Sequence, residues 1–203
     1  ILDDLAFLPV RALRAAVAGR APEDALALGA AWGRRVASLG GPVTDTARIN
    51  LTVAFPAASV TQRERILFDA YASLGRGIAE LALLQGPHRQ RLLDAVRLEG
   101  EAHLAAAESA SPTGGVLVVT AHYGTWDLYA AALAQRGHAL SVVHRGFANP
   151  RLDAMMTRVR LEGGGDLEEI RMGRGAAAAL LSALRRGRKC IVLLDQNARA
   201  AEG

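Results

Sequence analysis

Cysteine occurs once in the 203 residues and lysine once, and no apolar run reaches the length of a transmembrane helix, about 18 residues. Cys190 has neither a partner nor metal-ligand spacing, which closes the disulfide and zinc readings and leaves a small buried residue in a strand. No signal peptide is present, and no G-x-S-x-G elbow surrounds any serine, which argues against serine-hydrolase chemistry. Internal repeats and low-complexity linkers are also lacking. Basic residues outnumber acidic ones by 24 to 20, and all of them except Lys189 are arginine. The net charge of +4 suits anionic lipid, phosphate or an acidic carrier protein. No basic tract is dense enough for nucleic acid, so none is expected as a partner. The 51% apolar content is ample for a core. The chain starts at Ile1 rather than methionine and stops at Gly203 just beyond a strand, so it reads as part of a longer protein.

What is present divides into a helical part, residues 1–87, and an alternating part, residues 88–203, read together as one integrated but incomplete domain. Leu2, Leu5, Leu8, Leu13 and Val17 form an apolar stripe broken at Pro9, with arginines on other faces. Such a stripe suits a core-packing helix pair or a segment lying at a membrane surface. A second helix is predicted over Pro22–Leu39, opened by Pro22, Glu23 and Asp24 and stopped by Gly40, Gly41 and Pro42. Thr44–Pro56 reads as helical or irregular. Thr61 to Glu64 has the form of a capping box opening a long helix that lasts to Gly86 and Pro87.

Beyond a possible strand near Val96 and a short helix ending before Ser111, strands and helices alternate. The strands fall at Val116–Thr120, Leu140–His144, Leu167–Arg171 and Cys190–Leu194. Asn149 with Pro150 is a strong helix start. The fold class is therefore α/β: an N-terminal helical segment, then a mostly parallel sheet with helices on both faces and ligands at the carboxyl ends of its strands.

The stretch VLVVTAHYGTWDL, residues 116–128, concentrates the chemistry. Its β-branched run reads as a strand buried on both faces, followed by a turn and a helix for which Thr125 offers a hydroxyl cap. His122 and Asp127 meet at this junction. On a regular helix five residues would separate them by about 140°, so their partnership needs a non-helical turn, which Gly124 permits. A neutral imidazole is a suitable general base for a hydroxyl attacking a thioester, with Asp127 on its other ring nitrogen fixing the tautomer. The attacking hydroxyl belongs to the acceptor, so neither a covalent enzyme intermediate nor a cofactor is required.

Other features carry competing readings. Gly173, Gly175 and Ala178 follow a strand and open a helix as G-x-G-x-x-A, with Asp195 about 20 residues on, the outline of a dinucleotide site and hence of a nucleotide-cofactor oxidoreductase. That fingerprint usually sits on the first strand of its sheet, unlike here. His88, His103, His138 and His144 lack companions and read as structural, Trp126 as core, and Arg185 to Lys189 as a solvated helix end. Arg145 and Arg160 suit either phosphate binding or a solvated surface, and Asp195 either the site or a loop cap.

Taken together, these residues resemble the bacterial lipid A biosynthesis acyltransferases, within the wider glycerolipid acyltransferase-like group. The likeness rests on His122-Tyr123-Gly124-Thr125-Trp126-Asp127, a histidine followed after four residues by an acidic residue. Leu8-Pro9, Asn50-Leu51, Phe55-Pro56, Glu80, Arg145, the run Asn149 to Asp153, and Asp195-Gln196-Asn197 extend it along the chain. Thr125 and Asp127 depart from the family's usual asparagine and glutamate, which bears on the acceptor more than on the chemistry.

The resemblance implies transfer of a fatty acyl chain from an acyl carrier protein or coenzyme A thioester to a hydroxyl of a lipid A precursor or related lipid. It implies catalysis by His122 and Asp127, substrate binding by Arg145, Arg160, Asp195 and Gln196, and work at a membrane surface, the cytoplasmic face of the bacterial inner membrane. It also implies further strand and helix after Gly203 and a hydrophobic anchor before Ile1. A catalytically inactive lipid-binding member is the remaining alternative.

Overall fold

The computed structural model describes residues 2–162 and 165–196, except the side chains of residues 2–7 and 9. Asn197 and the side chains of Leu2, Leu5 and Pro9, all named above, lie outside the described residues. The chain divides into two compact units, Ile1–Arg89 and Gln90–Gly203.

The first unit contains α1 (Leu2–Val17), α2 (Pro22–Leu39), α3 (Pro42–Ala54) and α4 (Val60–Leu83). Its centre is the antiparallel pair of α2 and α4, in which Gly29 faces Gly75 and Gly33 faces Tyr71. A β-carbon on Gly33 would stand 1.9 Å from the Tyr71 carbonyl oxygen, and one on Gly75 1.9 Å from that of Gly29, so only hydrogen fits at either point. Glycine costs about 1 kcal/mol against alanine in a helix interior, but here it lets two backbones touch. Ala25, Ala37, Ala72 and Ala79, all fully buried, complete the core of small residues.

Leu13 and Val17 are fully buried in this unit, so the later half of the N-terminal stripe serves packing. The helix also runs unbroken past Pro9 instead of forming a pair. Residues 44–54 are helical, and the cap of the long helix lies two residues before the expected box. Ser59 Oγ accepts the Gln62 N–H at 3.2 Å and Gln62 Oε1 accepts the Ser59 N–H at 2.7 Å, so a glutamine does what Glu64 was expected to do. Glu64 instead accepts from Arg48 of α3 at 2.8 Å.

In the second unit, α5 (Arg89–Asp94, beginning at the join) and α6 (Glu101–Ala110) precede β1 (Val116–Thr120), α7 (Trp126–Gln135), β2 (Leu140–His144), α8 (Pro150–Glu162), β3 (Leu167–Arg171), α9 (Ala176–Arg185) and β4 (Lys189–Leu193). The region of Val96 is irregular, not a strand. The four strands form an all-parallel sheet in the order β1-β4-β2-β3. One face carries Leu140, Val142 and Ile191 against Ala130, Leu133 and Ala134 of α7. On the opposite face Ile170 and Cys190 pack against Ala183 of α9.

β1 departs from the double-sided burial read from its sequence. It is an edge strand among the described residues, and Leu117 and Val119 are 50% and 57% exposed. An unbroken apolar run marks a strand that can be covered twice, but does not itself supply the second cover. The solvated helix end expected at 185–189 holds for Arg185 and Arg186, which are exposed, and is corrected for Arg188 and Lys189. Arg188 is buried, donating to Ser141 Oγ at 2.9 Å and Asp166 Oδ1 at 2.8 Å, while Lys189 pairs with Glu108. Strand entry carries these side chains inward, where their charges must be paired.

Because backbone carbonyls block the space at Gly33 and Gly75, Gly33→Ala or Gly75→Ala should destabilise the protein by about 1–3 kcal/mol in urea unfolding, the usual cost of overpacking. Gly86→Ala, whose β-carbon would meet only ordinary contacts from 3.6 Å outward, should stay within about 0.5 kcal/mol.

Candidate active site

Adjacent parallel strands carry their following loops to the same edge of the sheet, and the pairing of β1 with β4 therefore sets His122 beside Asp195. Pairing continues one step past the strands, with the Leu194 N–H donating to the Thr120 carbonyl at 3.1 Å. Asp195 then takes two hydrogen bonds from one residue. Its Oδ2 accepts the His122 backbone N–H at 3.0 Å, and its Oδ1 lies 2.9 Å from His122 Nδ1. An ionised carboxylate only accepts, so Nδ1 carries a hydrogen, and in the neutral ring the lone pair is on Nε2. The hydrogen bonds from His122 lower the Asp195 pKa below the ordinary carboxylate value.

The hydrogen bond expected between His122 and Asp127 is not formed. Asp127 lies in the first turn of α7, 8% exposed, and accepts from Arg160 Nε at 2.7 Å. The same guanidinium donates through Nη1 to Glu169 Oε1 at 3.0 Å and lies over the Trp126 ring, 4.9 Å from its centroid. Thr157 Oγ1 donates to Glu169 Oε2 at 2.9 Å, and His144 Nε2 lies 3.6 Å from Glu169 Oε1. His144 Nδ1 is buried without a hydrogen-bond partner. Burial raises the Asp127 pKa against the pull of Arg160, and burial together with Arg160 lowers that of His144, which favours its neutral form. Arg160 keeps its charge, since the two carboxylates outweigh the cost of burial.

Sequence spacing thus placed His122 and Asp127 at one turn, but the partner of the histidine ring is Asp195 and that of Asp127 is Arg160. Thr125 occupies the N-cap position of α7 without a side-chain cap bond, leaving first-turn N–H groups without that acceptor. Arg160, expected either to bind phosphate or to lie in solvent, is buried between two carboxylates. Arg145 and Gln196 are exposed just beyond β2 and β4, at the same edge as His122. Asn149 caps α8 as expected, accepting the Arg151 and Leu152 N–H groups.

Glu169 and the involvement of His144 were missed. The available signal was a glutamate in a strand of a buried sheet, where pairing places Glu169 two residues before Arg171, the partner of His144, and so on the same face. Beside the His122 turn, Val118, Thr120, Tyr123, Thr125, Trp126 and Tyr129 line an open cleft of about 330 Å³. Among the described residues no group of three or more histidine, cysteine or acidic side chains is placed to hold a metal.

A parallel sheet with a carboxylate-oriented histidine at its carboxyl edge, next to an open cleft of mixed polar and apolar lining, has the geometry of a general-base site. A model of the bacterial lipid A biosynthesis acyltransferase family matches residues 6–203, and the chain belongs to that family. It is thus an acyltransferase in general class. No curated protein matches the chain.

Two outcomes test the pairings directly. Arg160→Ala would leave the buried Asp127 carboxylate without its cation and remove one of the partners of Glu169, and should cost about 3–5 kcal/mol in chemical denaturation. A carboxylate with a depressed folded-state pKa stabilises the fold above its unfolded value and loses that contribution as pH falls through the folded one. Asp195→Asn should therefore lessen the loss of thermal stability on acidification from about pH 5 to pH 2.

Proposed function

We propose that this chain transfers a fatty acyl group from a thioester, of acyl carrier protein or coenzyme A, to a hydroxyl of a lipid A precursor or related glycolipid or lysolipid, with His122 as general base. The reading rests on one observation above all: Asp195 holds both the backbone N–H and the Nδ1 of His122. That arrangement fixes the ring and leaves the Nε2 lone pair for the incoming proton. The acceptor hydroxyl attacks the thioester carbonyl as Nε2 takes its proton, a carbon–oxygen bond forms, the carbon–sulfur bond breaks, and the proton passes to the departing thiolate. The Trp126 and Asp127 N–H groups of the first turn of α7, to which the Thr125 side chain makes no cap bond, are suited to the developing oxyanion. Asp127 acts at one remove, as the anchor by which Arg160 holds that turn.

The cleft beside the same turn has a mixed lining, and its apolar side chains Val118, Val119 and Trp126 suit the start of the acyl chain. Arg145 and Gln196, exposed at this edge, are assigned to the polar part of donor or acceptor. Acidic carrier protein would be drawn by the arginine excess. The work is assigned to a membrane surface, the cytoplasmic face of the bacterial inner membrane, where a water-insoluble acceptor and thioester donors meet. No described helix is long and apolar enough to cross a membrane.

Acyl transfer from radiolabelled acyl carrier protein and acyl coenzyme A to extracted bacterial lipids, using the full-length protein, tests the reading. His122→Ala should lower the rate by about 10²–10⁴-fold, the usual contribution of a general base. Asp195→Asn should lower kcat at least tenfold with a smaller drop in melting temperature near neutral pH than Asp127→Asn, which should lose more stability together with rate. Transfer that persists without His122 would refute the mechanism. Inactivity with every donor would favour a non-catalytic lipid-binding role.

A further inference from the structure

The outward face of α3 carries no charge. On a regular helix Ile49, Val53, Thr46, Asn50 and Val43 fall within an arc of about 120°, opposite the side that carries buried Thr44 and half-buried Arg48 and Leu51. Val43, Ile49 and Val53 are 78%, 65% and 76% exposed, far more than isolated contacts with solvent would require of large apolar side chains. Leu39 before the helix and Val60 after it are exposed at 73% and 70%, so apolar side chains continue beyond both ends of α3.

The ends of this ridge are basic. From residue 34 to residue 69 the sequence has Arg34, Arg35, Arg48, Arg63 and Arg65 against Asp45, Glu64 and Asp69, a basic excess of two. Arg48 engages Asp45 and Glu64, and Asp69 lies within 4.0 Å of both Arg34 and Arg65. Arg63 donates to the carbonyls of Phe55 and Ala58, which sets its charge just past the end of α3. An apolar ridge with arginines at its ends, and without carboxylates on its outward arc, is complementary to acyl chains beneath anionic headgroups.

We propose that α3 is the membrane-docking element of this protein, lying along the surface of an anionic bilayer with Val43, Ile49 and Val53 among the acyl chains and the neighbouring arginines at headgroup level. This inference rests on the proposed lipid substrate for its biological purpose, but not for its test. Docking through α3 differs from the N-terminal stripe read in the sequence, since Leu13 and Val17 of that stripe are consumed by packing. The geometry also explains why α3 can be apolar outward and yet hold its place. Arg48 ties it to Glu64 of α4, and Thr44 Oγ1 shares a 2.7 Å hydrogen bond with Tyr71, both on the opposite side.

The experiment is co-sedimentation of the 203-residue chain with vesicles of phosphatidylcholine alone and of phosphatidylcholine containing phosphatidylglycerol, with light scattering of the free protein. Binding should require the anionic lipid and fall at least tenfold in the combined variant Val43→Ser, Ile49→Ser, Val53→Ser, with an unchanged circular dichroism spectrum. Leu181→Ser, which alters an exposed apolar residue of α9, should bind as the parent does. Undiminished vesicle binding by the triple variant would overturn the proposal. So would a parent that binds no vesicles, or one that is a dimer and becomes monomeric in the triple variant, since a second copy would then be the occupant. Acyl transfer by the full-length protein to a detergent-dispersed acceptor, measured beside the sedimentation, separates the two readings. Its absence from the full-length protein would sink the proposed activity while leaving the vesicle result standing.

Discussion

Arg160 holds together the interior of the α/β unit. A guanidinium that is almost wholly buried requires compensating charge, and it has Asp127 from the start of α7 and Glu169 from the middle of β3. One planar donor thereby joins three successive parts of the fold: the turn after β1, the helix α8 on which Arg160 lies, and the edge strand β3. Its face on Trp126 adds a further contact in the same first turn of α7. A lysine could not do this, because a single ammonium lacks the fork that reaches two carboxylates while its plane covers a ring.

That constraint explains the arrangement at the carboxyl edge. With Asp127 committed inward to Arg160, the carboxylate nearest the His122 ring comes from the other side, from Asp195 beyond β4. The strand order makes the exchange natural, because β4 lies next to β1 although it comes last in the chain. Two acidic residues divide duties that a linear motif would assign to one. Asp195 orients the imidazole, and Asp127 braces the turn from which it projects.

The helical unit depends on a different economy. Its central pair comes together by removing side chains, with Gly29, Gly33 and Gly75 allowing carbonyls to occupy the places of β-carbons. Small residues along the seam let α2 and α4 pack closely, which frees larger apolar residues elsewhere, among them the outward valines and isoleucine of α3. This glycine pattern is visible in the sequence, but glycine signals close approach only when the partner glycine is known.

By itself the sequence determined the local features of this protein. The strand segments of the sheet, the helix of Pro22–Leu39, the cap at Asn149 and the parallel α/β class all follow from period, punctuation and capping chemistry, which act over a few residues. The histidine turn and the order of the quoted motifs also sufficed to indicate the family. Tertiary structure alone decided the partners. Asp195 lies 73 residues from His122, and Asp127 lies 33 from Arg160, separations that spacing rules cannot bridge. Which face of β1 is open and which arginines turn inward likewise depended on strand order and on where each helix returned to the sheet. A charge in a sequence reads as solvated until the fold brings an opposite charge to meet it, as it does for Arg160 and Arg188.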